Sequence, residues 1–488
     1  MRKQTKIAAV VSAAALLALG ASITSFAAAK GTWMMVDGEW YCYDKNGDVY
    51  ENTFCSSNGK EYYVGEDGAI VRSQWVEYDG SYYFVNSSGA KVTSDWRLTA
   101  PYDDEDAEEE WYYFQSTGKR AENKKILYKG KTYYFDSEGK MITGWVTYDS
   151  EGTASVDEAN DFVAKKTFYA DETGARIEKD WVYTTAPGTD DDDADADEYW
   201  YYLKSNGEVQ TGKAANVKGQ TFLFNAVGQM QTGWVAYTES EYKSVDGEDS
   251  DFVIADGETV YWCPEGGDFD GHVKKNQWIK AWRPADTYEE DEDVDKYYYW
   301  LEKDGKVYIP SEADATGHKY DFKEGELVEK AEVEITKKKI ASKNYFFNQN
   351  GEMLSKFVCV EAGELENGMY YFGGSDDGSM KTGSQSIKDD MGDVYKFYFG
   401  TKTTSGYDAK GVGITGNKNG KLYELGKLVT AEDYKYEIVT VEGHDFIVNQ
   451  NGSIQYSKVV YKEDGEELID ATGFEFEKEG TQWKNSIK

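Results

Sequence analysis

A short aromatic run ending in a glycine turn recurs along almost the whole of this chain, and it limits the folds open to it. The run reads YCYDKNG (ending at Gly47), YYVGEDG (Gly68), YFVNSSG (Gly89), YYFQSTG (Gly118), YYFDSEG (Gly139), FYADETG (Gly174), YYLKSNG (Gly207) and FLFNAVG (Gly228). The steps Gly47 to Gly68, Gly68 to Gly89, Gly118 to Gly139 and Gly207 to Gly228 are each 21 residues. Less regular copies end at Gly267, Gly305, Gly325, Gly351, Gly378, Gly406, Gly426, Gly452 and Gly480, giving 17 candidate turns. A fixed period of this length is the mark of a repeat architecture. Each unit reads as an aromatic strand, a turn rich in Asn, Asp, Ser and Gly, and a second strand with alternating apolar positions, such as GKMITGW. Asn-Gly and Asp-Gly between such runs signal hairpins, because Gly accepts the positive φ that tight turns need. A lone hairpin is marginal in water, so the units must stack and bury their rings against one another. The expected fold is all-β, a solenoid of stacked β-hairpin repeats with acidic loop insertions, and little sequence is left for a separate domain.

The first 29 residues have a basic start (Arg2, Lys3, Lys6), an apolar run from Ile7 to Leu19 and a small-residue end at Ala27 to Ala29. That order predicts a secretory signal peptide cut after Ala29, with an apolar run too short to span a bilayer. No membrane insertion is expected of the mature chain. Removing the leader leaves 50 basic against 90 acidic residues, a net charge of −40. So acidic a chain repels phosphate backbones and anionic lipid surfaces, which argues against nucleic acid and leaves cationic ligands open. With 15% aromatics and 40 tyrosines it is not a disordered acidic tail. Four cysteines in 488 residues are too few to frame the fold. Cys42 and Cys55 flank one predicted turn, as a pair or as free thiols.

Tryptophan sharpens the register. Trp75, Trp96, Trp145, Trp181 and Trp234 each lie six or seven residues after a turn glycine, whereas Trp40, Trp111 and Trp200 lie seven before one, at the head of the aromatic strand. Tyr82 and Tyr298 take the strand-head place in other copies. The two registers are expected to flank the connection between hairpins. Three intervals stretch to 29, 33 and 38 residues, and each holds an acidic insert between the paired aromatics: PYDDEDAEEE, PGTDDDDADADEY and PADTYEEDEDVDK. A second kind of insert follows Trp145 and Trp234. The inserts read as solvated loops, as a negative rim that concentrates a cationic ligand, or as hard-oxygen ligands for Ca²⁺. No EF-hand spacing supports the last, and no metal site is assigned.

The GW pairs at Gly144-Trp145 and Gly233-Trp234, with WYYF at 111–114 and WYYL at 200–203, resemble the choline-binding, or cell-wall-binding, repeat family of Gram-positive surface proteins. Its wider group includes the repeats of glucan-binding proteins and clostridial toxins. The resemblance covers residues 33 to about 305 and thins beyond, which divides the chain into a leader (1–29), Trp-bearing repeats (30–305) and diverged Trp-poor repeats (306–488). It implies ligand between consecutive hairpins, in cages of two Trp and a Tyr that hold the quaternary ammonium of choline on teichoic acid. Cation–π attraction supplies the reason for rings, at about 0.5–2 kcal/mol. Matched to this sequence, the implied sites are Trp96 and Trp111 with Tyr133 or Tyr134; Trp181 with Trp200; Trp282 with Tyr298; and Trp75 with Tyr82. Where the strand head is Glu61, Thr132, Thr167, Thr221 or Val260 the gap is expected to be empty.

Nothing in the sequence points to catalysis. The three histidines (His272, His318, His444) stand alone, and no nucleophile elbow, zinc helix or phosphate loop is present. The expected role is a secreted, non-catalytic protein without cofactor, held non-covalently on cell-wall glycopolymer, since no LPxTG-type sorting signal is visible. The alternative is an adhesive or spacer protein whose Trp-poor third binds glycans. Free choline should release the first from walls and leave the second in place.

Overall fold

The computed structural model describes residues 28–149, 152–154, 165–189, 195–245, 259–264, 270–284, 296–402 and 405–488. Residues 1–27 of the expected signal peptide, most of both second-type inserts and the middles of the second and third acidic inserts lie outside them. Contacts divide the chain into two units, residues 1–209 and 210–488. Among the described residues there are strands and turns and no helix.

Unit 1 is a succession of antiparallel hairpins: Thr32–Val36 with Glu39–Tyr43, Thr53–Ser57 with Lys60–Val64, Gln74–Tyr78 with Ser81–Val85, Asp95–Thr99 with Glu110–Phe114, Lys124–Tyr128 with Lys131–Phe135, Gly144–Asp149 with Thr167–Ala170, and Asp180–Thr185 with Glu198–Leu203. The stacked-hairpin expectation holds, but the tip of each hairpin is a different turn from the one the repeat suggests. Tips such as Asp79-Gly80 (φ 51° and 63°) and Lys129-Gly130 (φ 47° and 82°) are two-residue turns with both residues at positive φ, the kind whose twist matches that of the flanking strands. The glycines that close the aromatic runs serve instead in the link from one hairpin to the next. In that link Asn86 caps the turn through Oδ1, accepting from the Ser88 and Ala90 N–H groups at 2.9 and 3.1 Å. The chain then makes a single bridge, Val85 to Lys91 or Phe114 to Arg120.

This link also ties neighbours together. The N–H two residues past each turn glycine donates to a strand-head carbonyl of the hairpin before: Lys91 to Glu61 (2.8 Å), Arg120 to Tyr82 (2.8 Å), Met141 to Trp111 (2.9 Å) and Arg176 to Thr132 (2.8 Å). The repeat in the sequence is therefore a stacking period. Because an aromatic strand packs on both faces, consecutive rings are buried: Tyr112, Phe114, Tyr134 and Phe135 have no exposed surface. Each such ring contributes about 1.5–3 kcal/mol of burial, which lone hairpins lack.

The same pattern opens unit 2, with hairpins Gly212–Val217/Gln220–Phe224, Gly233–Thr238/Thr259–Cys263 and Gln277–Ala281/Tyr297–Leu301. Gly267 lies outside the described residues. Gly271 takes the linking role, donating its N–H to the Pro264 carbonyl at 2.7 Å, and Val273 two residues on donates to Thr221 at 2.8 Å. Beyond Gly305 the sheets widen. One has five strands in the order Lys343–Phe347, Glu326–Ile340, Ala315–Lys323, Phe357–Gly363, Gly368–Tyr371. Gly325 (φ 77°) forms the tip between the two longest of these.

Cys42 and Cys55 are free and fully buried in one cluster with Val64. Asp44, the residue nearest a calcium-loop pattern, is engaged in its own turn, its Oδ1 accepting from the Asn46 and Asp48 N–H groups at 2.7 and 2.9 Å.

Candidate ligand cages

In three hairpins the strands are joined by the three acidic inserts. They join Asp95–Thr99 to Glu110–Phe114, Asp180–Thr185 to Glu198–Leu203, and Gln277–Ala281 to Tyr297–Leu301. The paired aromatics thus face each other across one hairpin and not across the link between two. Trp96 pairs with Tyr113 and Leu98 with Trp111, which sets the two indoles diagonally on one face of the strand pair. Their ring centres are 6.3 Å apart with planes at 83°. Tyr133 of the next hairpin closes a third side, 4.9 Å from Trp96. Trp111 remains 43% exposed, so a solute can reach its face. Tyr134, the other tyrosine of the expected pair, is fully buried and stacks on Phe168 in the opposite gap.

Trp181 and Trp200 repeat this arrangement at 6.3 Å and 87°, with Tyr183 5.0 Å from Trp200. In the third hairpin the structure assigns the equivalent place to Trp278, where the sequence pointed to Trp282. Trp278 pairs with Trp300 and Lys280 with Tyr298, matching Trp96/Tyr113 and Leu98/Trp111. Tyr345 lies 4.9 Å from Trp278, where Tyr133 lies from Trp96. Trp282 instead packs edge-on against Trp262 at 5.6 Å. The available signal was Trp278 standing seven residues after Gly271, the true linking glycine. A cleft of about 690 Å³ opens here, lined by Trp278, Tyr298, Tyr345, Lys343, Met353 and the loop from Gly374 to Asp377. Asp376 accepts from Lys280 Nζ at 2.8 Å and from the Tyr298 hydroxyl at 3.1 Å. The Lys280 bond, more than any other influence, holds the Asp376 carboxyl below its usual range.

Trp75 and Tyr82 do come together, but around a cation the chain supplies itself. The Arg120 guanidinium carbon sits 4.3 Å from the centre of Tyr82, 5.5 Å from Trp75 and 5.9 Å from Tyr112. Burial pushes the Tyr112 hydroxyl up to about 12, against the pull of Arg120. Trp75 has a second task, its indole N–H donating to the Ala100 carbonyl at 2.9 Å, at the foot of the first acidic tip. Trp145 and Trp234 do the same for the other two tips, bonding Thr185 (2.9 Å) and Trp282 (3.0 Å). Trp75, Trp145 and Trp234 therefore anchor an insert, and they alternate along the chain with Trp96, Trp181 and Trp278, which stand in the aromatic boxes.

The family model for the cell wall binding repeat, of the choline-binding type, matches residues 73–91, 125–141 and 195–209. Three segments of this chain thus match the cell wall binding repeat. The matched segments each take in an aromatic run and the linking turn after it, at Gly89, Gly139 and Gly207. Among curated proteins, the chain is similar to glucosyltransferase-S of Streptococcus mutans, 31% identical over 135 residues, covering 28% of this chain and 7% of that protein. It is also similar to glucosyltransferase-I of Streptococcus downei, 25% identical over 326 residues, covering 60% of this chain and 16% of that one. This chain thus spans only a small fraction of the length of these curated relatives. Among solved structures, CbpJ of Streptococcus pneumoniae aligns over 82% of this chain and 99% of its own at 19% identity and TM-score 0.27. The choline-binding domain of CbpL, from the same species, aligns over 41% and 95% at 24% identity and TM-score 0.19.

Proposed function

We propose that this chain is an exported, non-catalytic protein that attaches to the cell envelope by taking the quaternary ammonium of choline, on a teichoic-acid-type glycopolymer, into aromatic cages. The observation that carries the reading is the box of Trp96, Trp111 and Tyr133. Two indoles stand edge to face with a tyrosine alongside, and one indole is still 43% exposed. A quaternary ammonium has no N–H to donate, so ring faces are the appropriate partner, each worth about 0.5–2 kcal/mol. Such sites are weak singly and gain by being several on one polymer. Trp181 with Trp200, and Trp278 with Tyr298 and Tyr345, are read as further cages of this kind. The acidic inserts join the strands of the same three hairpins, so part of the chain's negative charge is placed where a cation arrives.

The test is choline titration of the purified chain, followed by tryptophan fluorescence and by release from choline-bearing walls. Trp96→Ala and Trp111→Ala are each expected to remove part of the signal and to weaken retention. An unchanged response in both variants overturns the cage. Walls that keep the protein at saturating free choline favour the adhesive reading instead.

A further inference from the structure

At the mouth of the third cage stands a carboxylate brought in from a distant loop. Asp376 reaches the rim from a loop 78 residues beyond Tyr298, and it accepts a hydrogen bond from that tyrosine's hydroxyl at 3.1 Å. The loop from Gly374 to Asp377 lines the cleft together with Trp278, Tyr298 and Tyr345. A probe of the site is already visible in the protein's own side chains. The Lys280 ammonium sits 5.2 Å from the centre of the Tyr298 ring and 2.8 Å from Asp376 Oδ1. Here a cation with N–H is held over an aromatic face while a carboxylate takes one of its hydrogens.

We propose that this cleft selects an ammonium that keeps its N–H groups, a primary or secondary amine of the ethanolamine or amino-sugar type, over the quaternary ammonium of choline. The inference rests on the cage reading above and gives one cage its own ligand class. The reasoning is geometric. A carboxylate approaches an N–H cation to about 2.8 Å in a charge-assisted hydrogen bond, whereas methyl groups keep a quaternary nitrogen farther from any oxygen and offer no hydrogen. Coulomb attraction falls with that separation, and the hydrogen bond is lost altogether. An aromatic box without a carboxylate favours the greasier cation; one with Asp376 favours the donor. Lys343 also lines the cleft, so the selectivity is assigned to the contact with Asp376 and not to a general negative charge. Lys280 is a displaceable occupant: it and Asp376 are 45% and 66% exposed, and exposed pairs of this kind hold weakly.

Calorimetric titration of the full chain with ethanolamine and with choline tests this, using Asp376→Asn, Trp278→Ala and Lys280→Ala. Asp376 is exposed, so its amide variant should melt with the parent protein. In the parent, ethanolamine is expected to show a binding component that Trp278→Ala abolishes. Asp376→Asn should weaken that component about tenfold while moving choline binding by less than about twofold, and Lys280→Ala should strengthen it by removing the internal competitor; a tenfold change corresponds to about 1.4 kcal/mol. Asp376→Asn leaving ethanolamine unchanged, or weakening both amines by one factor, overturns the proposal. Choline binding that is lost in Trp96→Ala but indifferent to Asp376→Asn, with no ethanolamine component, sinks this inference and leaves the choline reading standing. Absence of binding by either amine sinks both.

Discussion

Arg120 and Met141 occupy equivalent places in successive gaps, two residues past Gly118 and Gly139, and differ in what they leave open. Arg120 puts a guanidinium among Tyr82, Trp75 and Tyr112 and is steadied there by Glu122 at 2.8 Å. Met141 packs beside Trp96 and Tyr133 and brings no charge. Lys91, lying 4.9 Å from the Phe54 ring centre, and Arg176, 5.4 Å from that of Phe168, resemble Arg120. Met353 beside Trp278 and Tyr298 resembles Met141. The residue two past the linking glycine thus decides whether the link itself brings a cation to the rings. Arg120→Met is expected to add a choline site, raising the calorimetric stoichiometry by one, and Met141→Arg to silence the Trp96 cage. Unchanged stoichiometry in both variants would refute the rule. The gain in the first variant is the stronger test, because no merely destabilising change produces it.

At the level of the hairpin, the tips are held by the hairpin before them. Trp75, Trp145 and Trp234 reach across to the carbonyls of Ala100, Thr185 and Trp282, each at the start of an acidic insert. These are long-range bonds; the Trp145 bond spans 40 residues, and Trp145 is only 6% exposed. Removing the indole N–H while keeping a ring leaves a carbonyl short of a partner, at about 1–3 kcal/mol. Trp145→Phe should therefore lower the unfolding midpoint by several degrees, measured by calorimetry, whereas Trp40→Phe, at a 39% exposed ring, should hardly move it. Equal shifts in the two would show that the lost ring volume matters and the bond does not.

For the molecule as a whole, 90 acidic residues against 53 basic ones set up a field that attracts cations. Six of those acids, Asp103, Asp104, Glu105, Asp106, Glu108 and Glu109, stand on the exposed tip of the Trp96 hairpin. Attraction of this kind is screened beyond about 10 Å at 0.1 M salt. Choline affinity is expected to fall as salt rises, and to fall less steeply when those six are replaced by Asn and Gln. Parallel salt curves would reduce the tips to solvated loops. The same field opposes any close approach of polyphosphate polymers, so retention on DNA cellulose is not expected of this chain.

The stacking period, the strand-head register and the Trp96–Trp111 pair were legible in the residues, because each depends on neighbours along the chain: alternating rings, a turn residue with positive φ, a fixed spacing. Which turn makes the hairpin tip was not, since both kinds use an Asx or similar residue with glycine and differ only in the strands they join. Trp278, not Trp282, takes the place equivalent to Trp96, because Gly271 is the linking glycine and Trp278 stands seven residues after it. Arg120 inside the Trp75–Tyr82 gap and Asp376 at the mouth of the third cage had no local signature at all. Arg120 lies 38 residues from Tyr82 and Asp376 lies 96 from Lys280, and only the stacking of hairpins and the fold of the wider sheets bring such groups within reach of a ring. Ring periodicity follows from the chain, but the charge each gap contains depends on contacts that the chain makes only once folded.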